Sequence, residues 1–252
     1  MVIPVGDHNP TRRRALVNGA LVIVNVVVFV LWQPWAGLLC RQEAFFLEWA
    51  AVPDEIATRV PLDQSEVAAT TDPRCGIDGF PDKNVYASVF TAMFLHAGWA
   101  HLAGNMLFLL IFGNNVEDRL GHLRYLAFYV ASGVIATLIF VLPNAASATT
   151  LVGASGAIAG VLGAYFVLFP RAWVTVILPP LFFLPFRLPA LIVLGGWFLV
   201  QIFSDRVADM AGGGVAYLAH SSGFVAGALI VLLLGYRTPR PRHARRVRGE
   251  RR

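Results

Sequence analysis

Six long apolar stretches constrain the fold of this chain more than any other feature. They run over Ala15 to Trp32, Val89 to Phe112, Tyr125 to Leu142, Gly153 to Phe169, Leu188 to Phe203 and Ala216 to Gly235. Each approaches the roughly 20 residues that an α-helix needs to cross a bilayer. Charged residues make up only 14% of the 252 residues, against about 25% in soluble domains. The sequence therefore predicts an all-α polytopic membrane protein with six transmembrane helices.

Basic residues predict the orientation of these helices. Arg12, Arg13 and Arg14 precede the first stretch, and eight arginines lie between Arg237 and Arg252. Because cytoplasmic segments are enriched in Lys and Arg, both ends are expected to be cytoplasmic, which requires an even number of spans. A seventh apolar run, Val174 to Phe186, contains three prolines and is predicted to be an interfacial or re-entrant connector. The predicted organisation is a cytoplasmic segment 1–14, a six-span domain 15–235 and a basic cytoplasmic tail 236–252.

The long first connection, residues 37–84, is then expected outside the membrane. It carries nine acidic and four basic residues. Aromatic residues at near-helical spacing predict a short surface helix within Glu43 to Ile56. Cys40 and Cys75 both lie in this loop, where an oxidising exterior permits a disulfide, and two free thiols are the alternative. The basic tail favours anionic lipid head groups as its contact rather than nucleic acid.

Polar residues near the beginnings of three spans are expected at one depth. The second, fourth and sixth spans all enter from the outer side in this topology. His101 and Asn105 lie four residues apart on one helical face of the second span, Ser155 opens the fourth and His220 opens the sixth. Small residues at helix-packing spacing predict close contact between the fourth and sixth spans: Gly153, Gly156, Gly160, Gly223 and Gly227.

A hydroxyl and an imidazole at the same depth indicate nucleophilic catalysis. A serine is a weak nucleophile until a base takes its proton, and a neutral imidazole suits that task near neutral pH. We therefore predict a dyad of Ser155 and His220, without a carboxylate, since every Asp and Glu lies in a loop or tail. The candidate oxyanion donors are the Ser155 backbone N–H, the Asn105 amide and the His101 ring. The imidazole is expected to be held by packing and by Tyr165, Tyr217 or another neighbouring aromatic.

Three linked motifs resemble those of the rhomboid intramembrane serine proteases. They are His96-Ala-Gly-Trp-Ala-His101-Leu-Ala-Gly-Asn105, Gly153-Ala-Ser155-Gly156 and Ala219-His220-Ser-Ser-Gly223-Phe-Val-Ala-Gly227. The resemblance extends from about Val85 to Gly235. It implies a rhomboid-like bundle with a long outer first loop, and a serine-type endopeptidase that cleaves single-span membrane proteins without a cofactor. It also implies Ser155 as nucleophile, His220 as base, and His101, Asn105 and the Ser155 amide as the oxyanion hole.

The same resemblance suggests where a substrate enters and where this chain departs from the family. Lateral entry between the second and fifth spans would make Phe94, Trp197 and Phe198 the gate residues. Some members place a tyrosine four residues after the nucleophile, where it packs on the histidine. Here that position is Ala159, so His220 is expected to be supported differently.

Two other kinds of protein compete with a protease. A non-catalytic relative would bind membrane helices without cutting them, but such proteins typically lack the serine or the histidine. A transporter or channel could place His96, His101 and His220 at one depth, even as metal ligands. No carboxylate or cysteine accompanies these histidines in the spans, so no metal site is predicted. Transmembrane substrates and the bilayer are the expected partners, the Arg-rich composition suggests a bacterial plasma membrane, and no oligomeric state is predicted.

Overall fold

The structure, a computed structural model, describes residues 3–34, 39–177, 184–211 and 217–236, without the side chains of 205–211. The basic tail predicted for residues 236–252 therefore lies outside the described residues except for Tyr236. The helices are α1 Leu16–Val27, α2 Leu39–Trp49, α3 Pro53–Thr58, α4 Gln64–Thr70, α5 Val85–Thr91, α6 Trp99–Phe108, α7 Asn114–Leu120, α8 His122–Val141, α9 Ser155–Leu168, α10 Ala190–Ala211 and α11 Tyr217–Leu233. The strands are β1 Ile3–Asp7, β2 Trp173–Ile177 and β3 Pro185–Pro189. Most of the described chain is thus helical.

A three-stranded antiparallel sheet accompanies the helices, so the prediction of an all-α fold is confirmed only in part. The strand order is β1-β2-β3, so the amino-terminal segment pairs with the run predicted to be a re-entrant connector. Val174 and Val176 of β2 are fully buried, whereas most of β3 is exposed. Alternating burial and β-branched residues favour strands, and the prolines of this run cannot continue a helix. Residues 178–183 of the predicted connector lie outside the described part.

The second apolar stretch is broken, although the sequence predicted one continuous helix over Val89 to Phe112. A helical segment, Val85–Phe94, is followed by α6, and the two axes differ by 79°. At the break, the backbone N–H of His96 donates to Gln33 Oε1 at 2.9 Å, and the Gln33 amide donates back to the His96 carbonyl. Gln33 thereby satisfies both backbone groups of His96, which a break within apolar surroundings would otherwise leave unpaired.

Glycines allow α9 and α11 to pack backbone to backbone. A methyl group added to Gly227 would collide with the backbone of Gly160, and one added to Gly223 would collide with the carbonyl of Gly156. Gly156 also faces α8, where a Cβ would lie 2.9 Å from that of Ala136. These four positions confirm the predicted close packing. Gly153 does not belong to this contact, because it precedes α9 and faces the ring of His101.

A buried carboxylate fixes the beginning of α1. Glu117, in α7, is 1% exposed. Its two oxygens accept the backbone N–H groups of Val17 and Asn18 at 2.9 and 2.7 Å. The first N–H groups of a helix have no intrahelical acceptor, and a negative charge at this end is favourable. Glu117 therefore joins α1 to α7 across about 100 residues of chain.

The long first loop folds into a cap with its own small core. The cap contains α2, α3 and α4, and its buried apolar residues are Leu47, Val52, Leu62, Val67 and Ile77. The predicted surface helix is observed as two helices, because the chain extends at Val52 and restarts with Pro53 at the first turn of α3. Cys40 and Cys75 form a disulfide. The backbone of Ala51 bonds to that of Leu151, so the cap lies over the segment before α9.

The apolar helices differ in whether they could cross a membrane by themselves. Among the described residues, His122–Asn144 is long and apolar enough as a single helix, and Val85–Phe94 with Trp99–Leu120 qualifies if the bent pair counts as one span. Four shorter apolar helices accompany them: Leu16–Trp32, Ser155–Leu168, Ala190–Ser204 and Tyr217–Leu233. All six segments fall within or overlap the predicted spans. That each one crosses the membrane stays a prediction.

Candidate active site

Ser155 and His220 meet where the first turns of α9 and α11 come together. His220 Nε2 lies 2.8 Å from Ser155 Oγ. This distance is within hydrogen-bond range and follows from the glycine-lined contact of the two helices, because bulkier residues would separate the backbones. The structure therefore brings together the two residues of the predicted dyad, with the imidazole positioned to accept the hydroxyl proton.

The other imidazole nitrogen has a partner that the sequence did not indicate. His220 Nδ1 lies 2.9 Å from Oε1 of Gln201, a buried residue of α10. Trp197, one turn earlier on α10, packs its ring 6.2 Å from the imidazole, and Tyr217 approaches at 6.4 Å. Tyr217 was among the predicted supports. The prediction for Tyr165 was wrong, because its hydroxyl lies beside β1 and donates to Asp7 at 2.7 Å.

His101 and Ser155 flank the α-carbon of Gly153. An ideal Cβ on Gly153 would lie 2.8 and 2.9 Å from Cε1 and Nε2 of His101, and 3.5 Å from Ser155 Oγ. No larger residue fits there without moving the imidazole. The φ of 125° at this position also favours glycine. Gly153 is therefore required by the site, where it keeps open the space between the imidazole of His101 and the serine hydroxyl.

Asn105 lies one helical turn after His101 on α6. Its side chain is 8% exposed, and its Nδ2 atom has no hydrogen-bond partner among the described residues. A buried donor without an acceptor is costly, so such groups are uncommon unless a ligand or water completes them. Asn105 thus offers an unused donor one turn away from His101, and its role as an oxyanion contact stays a prediction.

The backbone around the serine provides a third donor and a small cavity. Ser155 begins α9, and the first N–H groups of a helix point outward without intrahelical acceptors. A cavity of about 20 Å³ adjoins this turn. Met93, Gly133, Thr137 and Gly156 are among its lining residues. Its size suits one water molecule or a small side chain.

The three predicted gate residues have different environments. Trp197 lies between α11 and α6, with its ring 6.1 Å from that of Phe224 and 6.5 Å from that of Phe108. Phe198 stacks on Phe224 at 4.6 Å. Phe94 ends the helical segment before the break and packs against the core. That these residues form a gate stays a prediction.

The histidines do not assemble a metal site in the described part of the chain. His96 is buried and its ring packs edge-on against that of His101 at 5.2 Å. Within residues 3–34, 39–177, 184–211 and 217–236, no three His, Cys, Asp or Glu side chains are grouped as metal ligands would be. The hydrogen-bond partners of the His220 imidazole are the Ser155 hydroxyl and the Gln201 amide oxygen, which suit proton transfer.

The site lies within a region that matches a known protein family. The model of the Rhomboid domain matches residues 83–237, which is more than half of the chain and includes α5 to α11. The chain belongs to the rhomboid family. This confirms the resemblance inferred from the three motifs.

Several relatives match part of the chain. The chain is 35% identical over 158 residues to Rhomboid-like protein 11, chloroplastic, of Arabidopsis thaliana, covering 57% of this chain and 51% of that protein. It is 33% identical over 172 residues to Rhomboid-like protease 5 of Toxoplasma gondii, covering 64% and 17%. It is 30% identical over 149 residues to Rhomboid protein 1, mitochondrial, of Saccharomyces cerevisiae, covering 56% and 40%. The chain thus spans about half the length of these relatives or less.

Proposed function

We propose that this protein is an intramembrane serine endopeptidase that hydrolyses peptide bonds in or near the transmembrane segments of membrane proteins. The observation that carries the proposal is the 2.8 Å contact between His220 Nε2 and Ser155 Oγ. In the reaction, His220 takes the hydroxyl proton as Ser155 attacks the peptide carbonyl. His220 then returns that proton to the leaving amine. Water deacylates the serine with His220 acting as base once more.

Donors around Gly153 support stabilisation of the tetrahedral intermediate. The Ser155 N–H lies at the beginning of α9, the His101 ring lies beside Gly153, and the unpaired Asn105 amide lies one turn after His101 on α6. Such donors act most strongly where water is excluded, and each one typically contributes about 3 to 4 kcal/mol to the barrier reduction. His101 and Asn105 are therefore proposed as the side-chain part of the oxyanion hole.

The two ends of the helical bundle support the proposed orientation. The disulfide-bonded cap lies at the end that holds Ser155, and disulfides persist in oxidising compartments. The sheet that contains β1 lies at the other end, following the last residue of α9. We therefore place the site toward the outer side and both termini in the cytoplasm, with six crossings. A bacterial plasma membrane stays a prediction from composition.

The surroundings of the serine support a transmembrane protein as the substrate. The apolar exteriors of α1 and α10, including Ile23, Val27 and Leu199, are exposed as expected for contact with lipid. A small cavity beside Ser155 suits a small substrate side chain. We propose entry between α6 and α10, past Phe94, Trp197 and Phe198, because a membrane helix can approach there from within the bilayer.

A non-catalytic helix-binding protein is the main competing function. Family membership alone is compatible with it. The observations that favour an enzyme are the contact of hydroxyl and base and the unpaired amide of Asn105. A pure binding protein has no need for a buried donor such as Asn105 to remain without an acceptor.

Cleavage of a transmembrane reporter by the purified protein tests the proposal. Wild type should release the product, and Ser155→Ala and His220→Ala should each reduce the rate to background. Ser222→Ala is the matched control, because this hydroxyl donates to the carbonyls of Leu218 and Ala219 in its own helix. Undiminished cleavage by either dyad variant would refute the mechanism. Absence of cleavage by wild type across a panel of reporters would favour the binding protein.

A further inference from the structure

We propose that Gln201 is a positioning residue that fixes the tautomer and the orientation of His220. The proposal rests on the function proposed above and deepens it, because it replaces the missing carboxylate of a triad with a neutral amide. Gln201 Oε1 lies 2.9 Å from His220 Nδ1, and Nε2 of the same ring lies 2.8 Å from Ser155 Oγ. The three groups form a chain of two hydrogen bonds.

The chemistry of the amide oxygen determines the direction of both bonds. A carbonyl oxygen can only accept, so the bond to Gln201 requires a hydrogen on Nδ1 of the imidazole. A neutral imidazole carries one N–H, and Nε2 is then left with a free lone pair. That lone pair faces the hydroxyl of Ser155, as general-base catalysis requires. When Nε2 takes the serine proton, the imidazolium still donates from Nδ1 to Gln201.

Burial explains why an amide can serve where many serine hydrolases use a carboxylate. Gln201 is 8% exposed and belongs to an apolar helix. An ionised carboxylate in such surroundings is costly unless a full charge compensates it. An amide accepts the same hydrogen bond at a much smaller desolvation cost. The dyad therefore gains an orienting acceptor without a buried charge.

The imidazole of His220 is supported from α10, because the packing around Ala159 leaves no room for a ring. Ala159 is 1% exposed, and Gly223 approaches so closely that an added Cβ would lie 3.3 Å from that of Ala159. A tyrosine at position 159 would not fit this contact. Trp197 and Gln201 are four residues apart on α10, so they lie on one face, and they provide a ring beside the imidazole and an acceptor for its N–H.

Three variants separate positioning from simple packing. Gln201→Met keeps the length and removes the acceptor, Gln201→Glu restores an acceptor, and Val200→Met is the control at an exposed neighbour. For reporter cleavage, Gln201→Met should lower kcat about 10- to 100-fold with KM nearly unchanged, since orientation is lost but substrate contacts are not. Gln201→Glu should recover part of the kcat that Gln201→Met loses, because even its neutral form has a carbonyl oxygen that accepts from Nδ1, and Val200→Met should match wild type. If Gln201→Met does not fold, Gln201→Asn takes its place with the same expectation, because the asparagine side chain is too short to reach Nδ1 of His220.

A spectroscopic readout makes the test independent of activity. Nitrogen NMR of protein labelled with ¹⁵N-histidine should show His220 protonated at Nδ1 in wild type and a mixture of tautomers in Gln201→Met. An unchanged tautomer together with wild-type kcat in Gln201→Met would overturn the proposal. If Gln201→Met and Gln201→Glu both lose kcat while the tautomer of His220 is unchanged, the proposal is also overturned. Gln201 would then act only by packing. If wild type cleaves no reporter, the proposed protease function fails, whereas the NMR result still decides the role of Gln201.

Discussion

His220 Nε2 lies 2.8 Å from Ser155 Oγ although 65 positions separate the two residues in the chain. The glycines on the facing sides of α9 and α11 make this distance attainable. Because the hydroxyl and the imidazole sit at the first turns of these helices, small changes in helix packing should alter the site. This relationship connects the stability of the bundle with its proposed chemistry.

Substitution of Gly227 should therefore destabilise the bundle. A Cβ at Gly227 would enter the backbone of Gly160, which cannot move aside as a flexible side chain could. We expect Gly227→Ala to cost about 1 to 3 kcal/mol, as overpacking typically does, and to lower the melting temperature in detergent. Gly196→Ala is the control, because nothing lies within 4 Å of a Cβ there. Equal melting temperatures for both variants would contradict the packing account.

Removal of the Asn105 amide should affect turnover more than binding. Asn105→Ala should lower kcat about 10²- to 10³-fold with a small change in KM, because an oxyanion donor acts chiefly in the transition state. Steady-state cleavage of a reporter measures both constants. His101→Ala should behave similarly. An Asn105→Ala enzyme with raised KM and unchanged kcat would instead assign this residue to ground-state binding.

The carboxyl group of Asp7 should make stability depend on pH. Burial raises its pKa above the ordinary 3.8, although Tyr165 and Asn115 donate to it. The folded state therefore holds this proton more tightly than the unfolded chain. The resulting penalty is present in full above the raised pKa and disappears as the pH falls to 3.8 and below.

Asp7→Asn, which resembles the protonated form, tests this linkage. We expect its melting temperature to equal or exceed that of wild type at pH 7, and the difference to shrink as the pH is lowered toward 4. Thermal unfolding of both proteins across this range provides the measurement. A variant that is less stable than wild type by the same amount at every pH would show that the hydrogen bonds, and not the ionisation, dominate.

Loss of the Cys40–Cys75 disulfide should loosen the cap rather than the bundle. The bond closes a loop of 35 residues, for which chain entropy predicts about 3 to 4 kcal/mol of stabilisation. In the Cys40→Ser/Cys75→Ser protein, hydrogen exchange should accelerate in α4 and stay slow in α9. Reductant should reproduce this pattern in wild type and have no effect on the double variant. Uniform acceleration throughout the chain would contradict a separately folded cap.

The sequence predicted the parts of this protein that depend on local pattern. Apolar runs predicted the six long helical segments, and the polar residues at the beginnings of the spans predicted the pairing of Ser155 with His220. Gln201 was missed because a single amide in an apolar run has no periodic signature, and its role depends on the packing of α10 against α11. The break at His96 was missed for a similar reason, since its compensating partner, Gln33, lies 63 residues away. Pairing of β1 with β2 likewise joins residues about 170 positions apart, which no local pattern indicates.

Mapping of a fluorophosphonate adduct by mass spectrometry tests the central claim most directly. This probe reacts covalently with a serine activated by a base and needs no knowledge of the natural substrate. The wild-type protein should carry one adduct, on Ser155, and His220→Ala should lose most of it while Ser222→Ala retains it. An adduct on a different serine, or full labelling of Ser155 without His220, would contradict the proposed dyad.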